Sequence, residues 1–141
     1  MELINQQILY YAENYSSPED DLLREISDFT NQHHADAQML SGHLQGKVLE
    51  IISYMVRPRR ILEIGTFMGY SAICLAKGLA DDGLLHTIEL QEAEAIKARE
   101  FFLKSNLGKK IILHTGNALE ILSKLDEIWD LVFIDADKPG Y

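Results

Sequence analysis

The chain has 141 residues, of which 47% are hydrophobic and 25% are charged, and this composition predicts one ordinary globular domain. Its formal net charge of −9 argues against a nucleic-acid or membrane partner bound through bulk electrostatics. Cys74 is the only cysteine, which excludes a disulfide framework, and its apolar surroundings predict a packed core thiol. Since the chain lacks a signal-peptide pattern and any apolar run long enough to span a bilayer, we expect a cytoplasmic protein.

The first 57 residues predict three helices. The first covers residues 3–15. The second begins with Ser17 as its cap and Pro18 at its first position. The third covers residues 43–57 and ends before Pro58, which disfavours helical geometry in the preceding residue. The apolar residues at helical spacing are Leu22, Leu23, Ile26 and Phe29 in the second helix, and Leu44, Val48, Ile51, Ile52 and Met55 in the third. The stripe on the third helix is expected to be buried in the fold or in an assembly of two chains.

The remaining residues alternate strands with helices. Strands are predicted over residues 60–64, 84–89, 110–115 and 130–135, and helices over residues 70–79, 91–105 and 118–125. This alternation predicts right-handed crossovers and a doubly wound parallel α/β sheet. Ligands bind such sheets beyond the carboxyl ends of the strands, near the point where the strand order reverses.

Two glycines, Gly65 and Gly69, follow the first strand. Glycine at such a turn permits positive φ and close approach of a ligand to the backbone. Their spacing is neither that of a dinucleotide fingerprint nor that of a phosphate loop, so a nicotinamide dehydrogenase is the least favoured function. Glu63 precedes the turn, where a carboxylate would repel phosphate and attract a cationic ligand. A plain structural turn is the alternative explanation.

Two further corners of the sheet carry candidate ligand contacts. Glu89 ends the second strand, where a carboxylate can accept hydrogen bonds from ribose hydroxyls, although a solvated charge is the alternative. The nearby glycine turn favours the ribose interpretation. Gly116, Asn117 and Ala118 follow the third strand, and such small residues permit backbone contact with a flat ring. A tight turn with a helix cap explains them equally well.

The fourth strand is an apolar run that ends in Asp135, Asp137 and Lys138. Asp135 and Asp137 share a side if the backbone stays extended. Carboxylate oxygens suit hard cations such as Mg²⁺, and a lysine beside them is a candidate general base. Helix-capping acids and a surface lysine are the alternative. An apolar parallel strand left at a sheet edge is unusual, so we expect the sheet to be incomplete on its C-terminal side.

In this order, these elements resemble the cation-dependent O-methyltransferases, the family of catechol and caffeoyl-coenzyme A O-methyltransferases. Two stretches carry most of the resemblance: residues 63–71, Glu-Ile-Gly-Thr-Phe-Met-Gly-Tyr-Ser, and residues 133–138, Phe-Ile-Asp-Ala-Asp-Lys. Residues 39–46, 88–89 and 116–119 match more weakly. The similarity implies a Rossmann-like sheet of the methyltransferase type, further strands beyond the fourth, and S-adenosylmethionine as cofactor.

The resemblance also implies which residues bind that cofactor. Glu89 would hold the ribose hydroxyls, and the backbone at Ala118 would meet the adenine. The other residues implied to bind the cofactor are Ser41, Glu63, Gly65, Gly69, Ser71, Asp135 and Asp137.

A catalytic site follows from the same resemblance. Asp135 would be a ligand of a divalent cation, with Mg²⁺ expected, and Lys138 would be the general base. A metal chelated by two neighbouring hydroxyls of a small catechol-like acceptor would lower the pKa of one hydroxyl. The resulting oxygen would attack the sulfonium methyl group in line, with alignment as the protein's main contribution.

The predicted organisation has two parts. Residues 1–57 form a helical segment that provides a lid or dimer contacts, and residues 58–141 form the S-adenosylmethionine-binding core. Relatives are commonly dimers, so a homodimer is expected. Two alternatives stay open: methylation of an RNA nucleoside, which the charge of −9 weakens, and a non-catalytic cofactor-binding or assembly module. His33 and His34 are adjacent on a predicted helix, and His86 and His114 lack partners at ligand spacing, so no histidine metal site is expected.

Overall fold

The computed structural model describes residues 4–136 as an α/β fold. The described strands are β1 (Arg60–Ile64), β2 (Leu84–Glu89), β3 (Ile111–Thr115) and β4 (Leu131–Ile134), and the described helices are α1 (Gln6–Tyr15), α2 (Asp21–His33), α3 (Gly42–Val56), α4 (Tyr70–Ala76), α5 (Glu92–Lys104) and α6 (Ala118–Leu122). The strands are parallel and lie in the order β3-β2-β1-β4. The order reverses beside β1, which confirms the predicted doubly wound sheet.

The strand register brings three carboxyl ends to one level. Ile64 of β1 lies level with Ile88 of β2 and Ile134 of β4. The Gly65 N–H donates to the Ile88 carbonyl at 3.0 Å, and the Asp135 N–H donates to the Ile64 carbonyl at 2.9 Å. The loops that follow these strands therefore begin side by side, where α/β sheets bind ligands.

One face of the sheet forms the hydrophobic core with α4. Ile61 and Leu85, which are neighbours on β1 and β2, are fully buried. Helix α4 is buried along its whole length, including Cys74, which confirms the predicted core thiol. Leu23 and Ile26 of α2 belong to the same cluster of buried residues. Helices α2 and α3 thus share one core with the α/β part of the chain, and α1 has no buried residue.

Helix α2 begins at Asp21, so the prediction of a Ser17 cap with Pro18 at the first position is wrong. Its cap is Asp20, whose carboxylate accepts a hydrogen bond from the Leu23 N–H at 2.9 Å. A carboxylate here satisfies a free backbone donor and meets the positive end of the helix dipole, which makes it a strong competitor for the cap position. The Ser17 carbonyl accepts a hydrogen bond from His43 at 2.7 Å instead.

Within one chain, helix α3 buries a face other than the predicted apolar stripe. Val48, Ile51 and Met55 are 54%, 57% and 80% exposed, and Ile52 is exposed as well. The apolar stripe is therefore not buried within one chain, and its burial in a homodimer stays a prediction.

Small residues decide which face of α3 is buried. A Cβ added to Gly46 would lie 2.6 Å from the ring of Tyr70. Ser53 is fully buried, and its hydroxyl donates to the Leu75 carbonyl at 2.5 Å. These residues let α3 lie directly against α4, and close packing of the two helices takes precedence over the spacing of the larger apolar residues.

Two helices end earlier than predicted. Helix α4 ends at Ala76 and α6 ends at Leu122, whereas the predicted helices extend to residues 79 and 125. After α4 the chain packs closely on α3, since a Cβ at Gly78 would lie 2.2 Å from the backbone of Ser53. The close approach forces a turn where the apolar pattern alone would permit a longer helix.

Strand β4 lies at an edge of the described sheet, as predicted. Val132 and Ile134 on this strand are about half exposed.

Asp137 and Lys138, two of the predicted site residues, lie outside the described residues. Within residues 4–136, no helix has the length and apolar character needed to cross a membrane.

Candidate functional site

A cleft of about 1040 Å³ opens at the carboxyl ends of β1, β2 and β4. Residues 34–41, which connect α2 to α3, form one wall, and the loops after the strands form the others. The residues that the sequence predicted and that line this cleft are Ser41, Gly65, Ser71, Glu89, Ala118 and Asp135. The fold thus brings together residues that lie far apart in the sequence.

The two glycines after β1 have different tasks. Gly65 has a φ of 101°, and a Cβ there would lie 2.3 Å from the Asp135 carbonyl oxygen, so glycine permits the ends of β1 and β4 to meet. Gly69 has a φ of 85°, and a Cβ there would lie 2.5 Å from the ring of Phe102 on α5. The resemblance implies that Gly69 binds the cofactor, but Gly69 is not among the residues that line the cleft. It makes room for helix packing.

Glu89 is held in place by two backbone donors. The Phe67 N–H donates to Glu89 Oε2 at 2.7 Å, and the Gln91 N–H donates to Oε1 at 3.0 Å. Glu89 is 8% exposed and lines the cleft. An ionised carboxylate has about four acceptor positions, so two such bonds leave capacity for further donors. The geometry is that of an oriented acceptor for ligand hydroxyls.

Glu63 lies behind the cleft wall and is fully buried. Ser71 donates to its Oε1 at 2.5 Å, and Thr87 donates to its Oε2 at 2.6 Å. Because the Thr87 proton is used in this bond, the neighbouring Thr66 hydroxyl, 2.5 Å away, is the donor to Thr87. Glu63 is not among the residues that line the cleft and orients the Ser71 hydroxyl from behind it, and its predicted contact with a cofactor stays a prediction.

Burial raises the pKa of Glu63 to about 7, because desolvation disfavours the carboxylate more than the Ser71 and Thr87 hydroxyls stabilise it. The nearby carboxylates of Asp135 and Glu89 raise this pKa further. The innermost acid of the site thus changes charge close to neutral pH.

The small-residue corner after β3 is a tight turn with a helix cap, and it lies beside the cleft. The Gly116 N–H donates to the Glu89 carbonyl at 2.8 Å, which ties the corner to the end of β2. The Asn117 side chain caps α6 by accepting a hydrogen bond from the Leu119 N–H at 2.9 Å. Ala118, at the start of α6, lines the cleft. A capped turn therefore presents its backbone to the cavity.

Asp135 lies at the end of β4, is exposed, and lines the cleft. Across residues 4–136, no group of three or more histidine, cysteine, aspartate or glutamate side chains could hold a metal ion. Mg²⁺ takes six oxygen ligands and is commonly bound through one or two carboxylates together with water, and Asp135 supplies one carboxylate. Asp135 is thus a candidate ligand without a described metal site.

Sequence reasoning missed most of the wall formed by residues 34–41. Of this segment only Ser41 is a predicted contact, whereas His34, Asp36 and Leu40 also line the cleft. The sequence places His34 on a helix beside His33, whereas in the structure it follows the last residue of α2. The usable signal is the position of His34 between two helices, in a loop that leads into the matching stretch at residues 39–46.

Two other histidines form a pair that sequence spacing does not reveal. His86 Nδ1 on β2 and His114 Nε2 on β3 are 3.0 Å apart, and the Trp129 ring packs edge-on against His86. Burial lowers the pKa of both imidazoles. Neither histidine belongs to the cleft lining, so the pair is a packing feature of the sheet.

The whole arrangement has close counterparts among known proteins. A catechol O-methyltransferase of Niastella koreensis is 34% identical over 146 residues, which covers 98% of this chain and 66% of the relative. The O-methyltransferase TomG of Streptomyces achromogenes, solved in complex with SAM, has a TM-score of 0.87 and 34% identity over 95% of this chain and 61% of TomG. An O-methyltransferase from Bacillus cereus, solved in complex with SAH, has a TM-score of 0.88 and 34% identity, with 95% and 62% of the two chains covered.

The chain spans about three fifths to two thirds of the length of these relatives. Its residues 13–141 match the sequence profile of the O-methyltransferase family, so the match includes α2, α3 and the α/β part. The parallel sheet and the cleft at its strand ends agree with this assignment. The chain therefore belongs to the O-methyltransferase family.

Proposed function

We propose that this chain forms the cofactor-binding part of an S-adenosylmethionine-dependent O-methyltransferase. The observation that carries the proposal is Glu89, whose carboxylate is oriented by two backbone N–H groups at the rim of the cleft. Such an acceptor suits the paired hydroxyls of a ribose. The solved relatives in complex with SAM and SAH give independent support for this ligand class.

Residues of this chain would bind and orient the cofactor, which supplies an electrophilic methyl group when bound. Glu89 would accept hydrogen bonds from the ribose hydroxyls, and the corner at Ala118 would face the adenine. Gly65 leaves the turn without a side chain at the point where the ends of β1 and β4 meet. Holding the methyl donor in one orientation lowers the entropic part of the reaction barrier, and this alignment is the proposed contribution of the chain to catalysis.

The acceptor is proposed to be a small hydroxylated, catechol-like molecule. The Niastella koreensis relative is named a catechol O-methyltransferase, and the formal charge of −9 disfavours a polyanionic acceptor. Lys138 is the proposed general base and Asp137 a further cofactor contact, both immediately after Asp135 and Ala136 in the sequence. The relatives favour neither RNA methylation nor a non-catalytic module.

Metal assistance is a separate proposal. Its support is Asp135, a carboxylate at the end of β4 that lines the cleft. We expect Mg²⁺ to leave the affinity of this chain for S-adenosylhomocysteine unchanged, because Asp135 supplies one carboxylate. A Kd that Mg²⁺ lowers severalfold would show that the chain completes a metal site next to the cofactor.

The N-terminal helices, residues 1–57, are proposed to provide a lid over the cofactor and contacts for a homodimer. Residues 34–41 of this part already line the cleft. The outer face of α3 presents Val48, Ile51 and Met55 to solvent, and α1 adds Ile8 and Tyr11. A cytoplasmic location is also proposed, and its support is that the single cysteine, Cys74, is a free, buried thiol.

The proposal is tested by calorimetric titration of the 141-residue chain with S-adenosylhomocysteine. We expect saturable binding that Glu89→Gln weakens about tenfold or more, because the ribose hydroxyls lose a charged acceptor. Glu100→Gln is the matched control, since Glu100 is a half-exposed glutamate on α5 that pairs with Lys97 away from the cleft. Absence of binding, or equal Kd values for the Glu89 and Glu100 variants, would contradict the proposal.

A further inference from the structure

His34 is the first residue after α2, where the segment 34–41 begins. Its Nε2 lies 3.3 Å from Glu94 Oε1, and the two side chains are 22% and 20% exposed. Its ring meets the ring of Phe67 edge-on, with centroids 4.7 Å apart and an interplanar angle of 84°. His34 thus touches the glycine turn after β1 and the first turn of α5.

The hydrogen bonds of His34 define the position of its proton. The Asp36 backbone N–H lies 3.0 Å from His34 Nδ1, and a backbone N–H can only donate. His34 Nδ1 is therefore the acceptor, and Nε2 carries the proton that is donated to the Glu94 carboxylate. One imidazole ring thus bonds to two chain segments, the backbone of Asp36 in the segment 34–41 and the side chain of Glu94 on α5.

The contact with Phe67 bears on Glu89. Phe67 has a φ of 50°, in the left-handed region that a residue with a side chain adopts only when its surroundings hold it there. Its N–H is one of the two backbone donors that orient the Glu89 carboxylate. The ring of His34 packs against the side chain of Phe67, so it supports the backbone conformation that aims this donor.

We propose that His34 is a positioning residue for cofactor binding. It ties the segment 34–41 to the glycine turn and to α5, and through Phe67 it stabilises the orientation of Glu89. This inference rests on the proposed function, in which the cleft binds S-adenosylmethionine. His34, Asp36, Phe67 and Glu94 all line that cleft, although none of the four is a contact expected from the sequence.

The experiment measures the Kd for S-adenosylhomocysteine and the denaturant midpoint of the 141-residue chain in the same set of variants. We expect His34→Ala to raise the Kd about tenfold, because the segment and the turn lose their common contact. His33→Ala is the matched control, since His33 stacks on Phe29 and is not part of the cleft lining. It should leave the Kd unchanged.

Two conservative variants separate the two hydrogen bonds. His34→Asn keeps an acceptor for the Asp36 N–H, and His34→Gln places a donor toward Glu94. We expect each to restore part of the affinity lost in His34→Ala. A double variant, His34→Ala with Glu94→Ala, tests whether the two residues act together. We expect its Kd to be no higher than that of the weaker-binding single variant. Both conservative variants also keep the test valid if His34→Ala does not fold.

The outcomes distinguish this inference from the proposed function. Wild-type binding with an unchanged Kd in His34→Ala would overturn the inference and leave the proposed function standing, and a lowered denaturant midpoint in that variant would then assign His34 a purely structural role. Additive losses in the double variant would overturn the coupling of His34 to Glu94. No binding by the wild-type chain would overturn both proposals.

Discussion

Strands β1 and β4 are neighbours that both contain large apolar residues, yet their surroundings differ. Ile61 of β1 is fully buried, whereas Val132 and Ile134 of β4 are 47% and 48% exposed. Strand β1 pairs with both β2 and β4, while β4 lies at an edge of the described sheet. The comparison shows that an apolar run specifies a parallel strand, and that the elements packed around the strand decide how deeply it is buried.

The two faces of α3 repeat this contrast. The face against α4 contains small residues, Gly46 and Ser53, and is buried. The opposite face contains the larger apolar residues Val48, Ile51 and Met55 and is exposed. Hydrophobicity by itself therefore misidentifies the packed face, since the closest helix contact requires small side chains.

The largest expected effect is on the free energy of unfolding when one isoleucine of each strand is replaced by alanine. Ile61→Ala should lower the free energy of unfolding by about 2–5 kcal/mol, because it leaves a cavity in a filled core. Ile134→Ala should lower it by about 1 kcal/mol or less, because its side chain already contacts solvent. Urea unfolding at constant pH measures both values. Equal losses would contradict the comparison and would indicate that the outer part of β4 is covered in solution.

The second effect concerns Glu63, the acid on the buried strand. Its pKa is raised from 4.5 to about 7 in the folded chain, so between these pH values the folded state holds more protons than the unfolded state. This contribution to stability is fully present below pH 4.5 and is lost as the pH rises through 7. We expect the free energy of unfolding of the wild type, relative to Glu63→Gln, to fall by about 3 kcal/mol between pH 4 and pH 8.

Denaturant unfolding across this pH range checks the sign and the size of the effect. Ser71→Ala provides a matched variant, because the Ser71 hydroxyl donates to Glu63 and lowers its pKa. Its loss should steepen the decline of stability with rising pH. Stability of Glu63→Gln that follows the same pH curve as the wild type would contradict the raised pKa.

The smallest effect compares the two faces of α3. Gly46→Ala should destabilise the fold by about 1–3 kcal/mol, because its Cβ would overlap the space of Tyr70 and Cys74. Val48→Ala, on the exposed face, should change the free energy of unfolding by less than about 0.5 kcal/mol. Thermal unfolding of both variants at low protein concentration shows which substitution lowers the stability more. A larger loss for Val48→Ala that grows with protein concentration would point to a partner on the outer face.

The strand boundaries and the residues at the strand ends show which features of the structure can be predicted from the sequence. Strands β1 and β2 begin and end at the predicted residues, since each is a short segment rich in aliphatic residues that is bounded by turn residues. The parallel alternation predicts the crossover topology, and the topology in turn places Gly65, Glu89 and Ala118 around one cleft. These predictions depend on local patterns and on general rules of connection, which the order of residues contains.

Other features depend on contacts between segments that are distant in the sequence. The sequence places Glu63 before a glycine turn, but its burial results from Ser71 and Thr87, which close over its carboxylate from α4 and β2. His34 meets Glu94 across sixty positions of the chain. No local sequence pattern predicts this contact, because the pairing of His34 with Glu94 depends on how the helices pack.

The sequence by itself therefore determined the α/β class, the strand positions, the strand-end residues and the resemblance to O-methyltransferases, because periodicity, turn residues and motif spacing act over short stretches of chain. The tertiary structure alone decided which face of α3 is buried, that Gly69 makes room for Phe102, and that residues 34–41 complete the cleft. The physical reason is that close packing and burial are properties of surfaces brought together from separate segments, and their outcome depends on shape as well as on hydrophobicity.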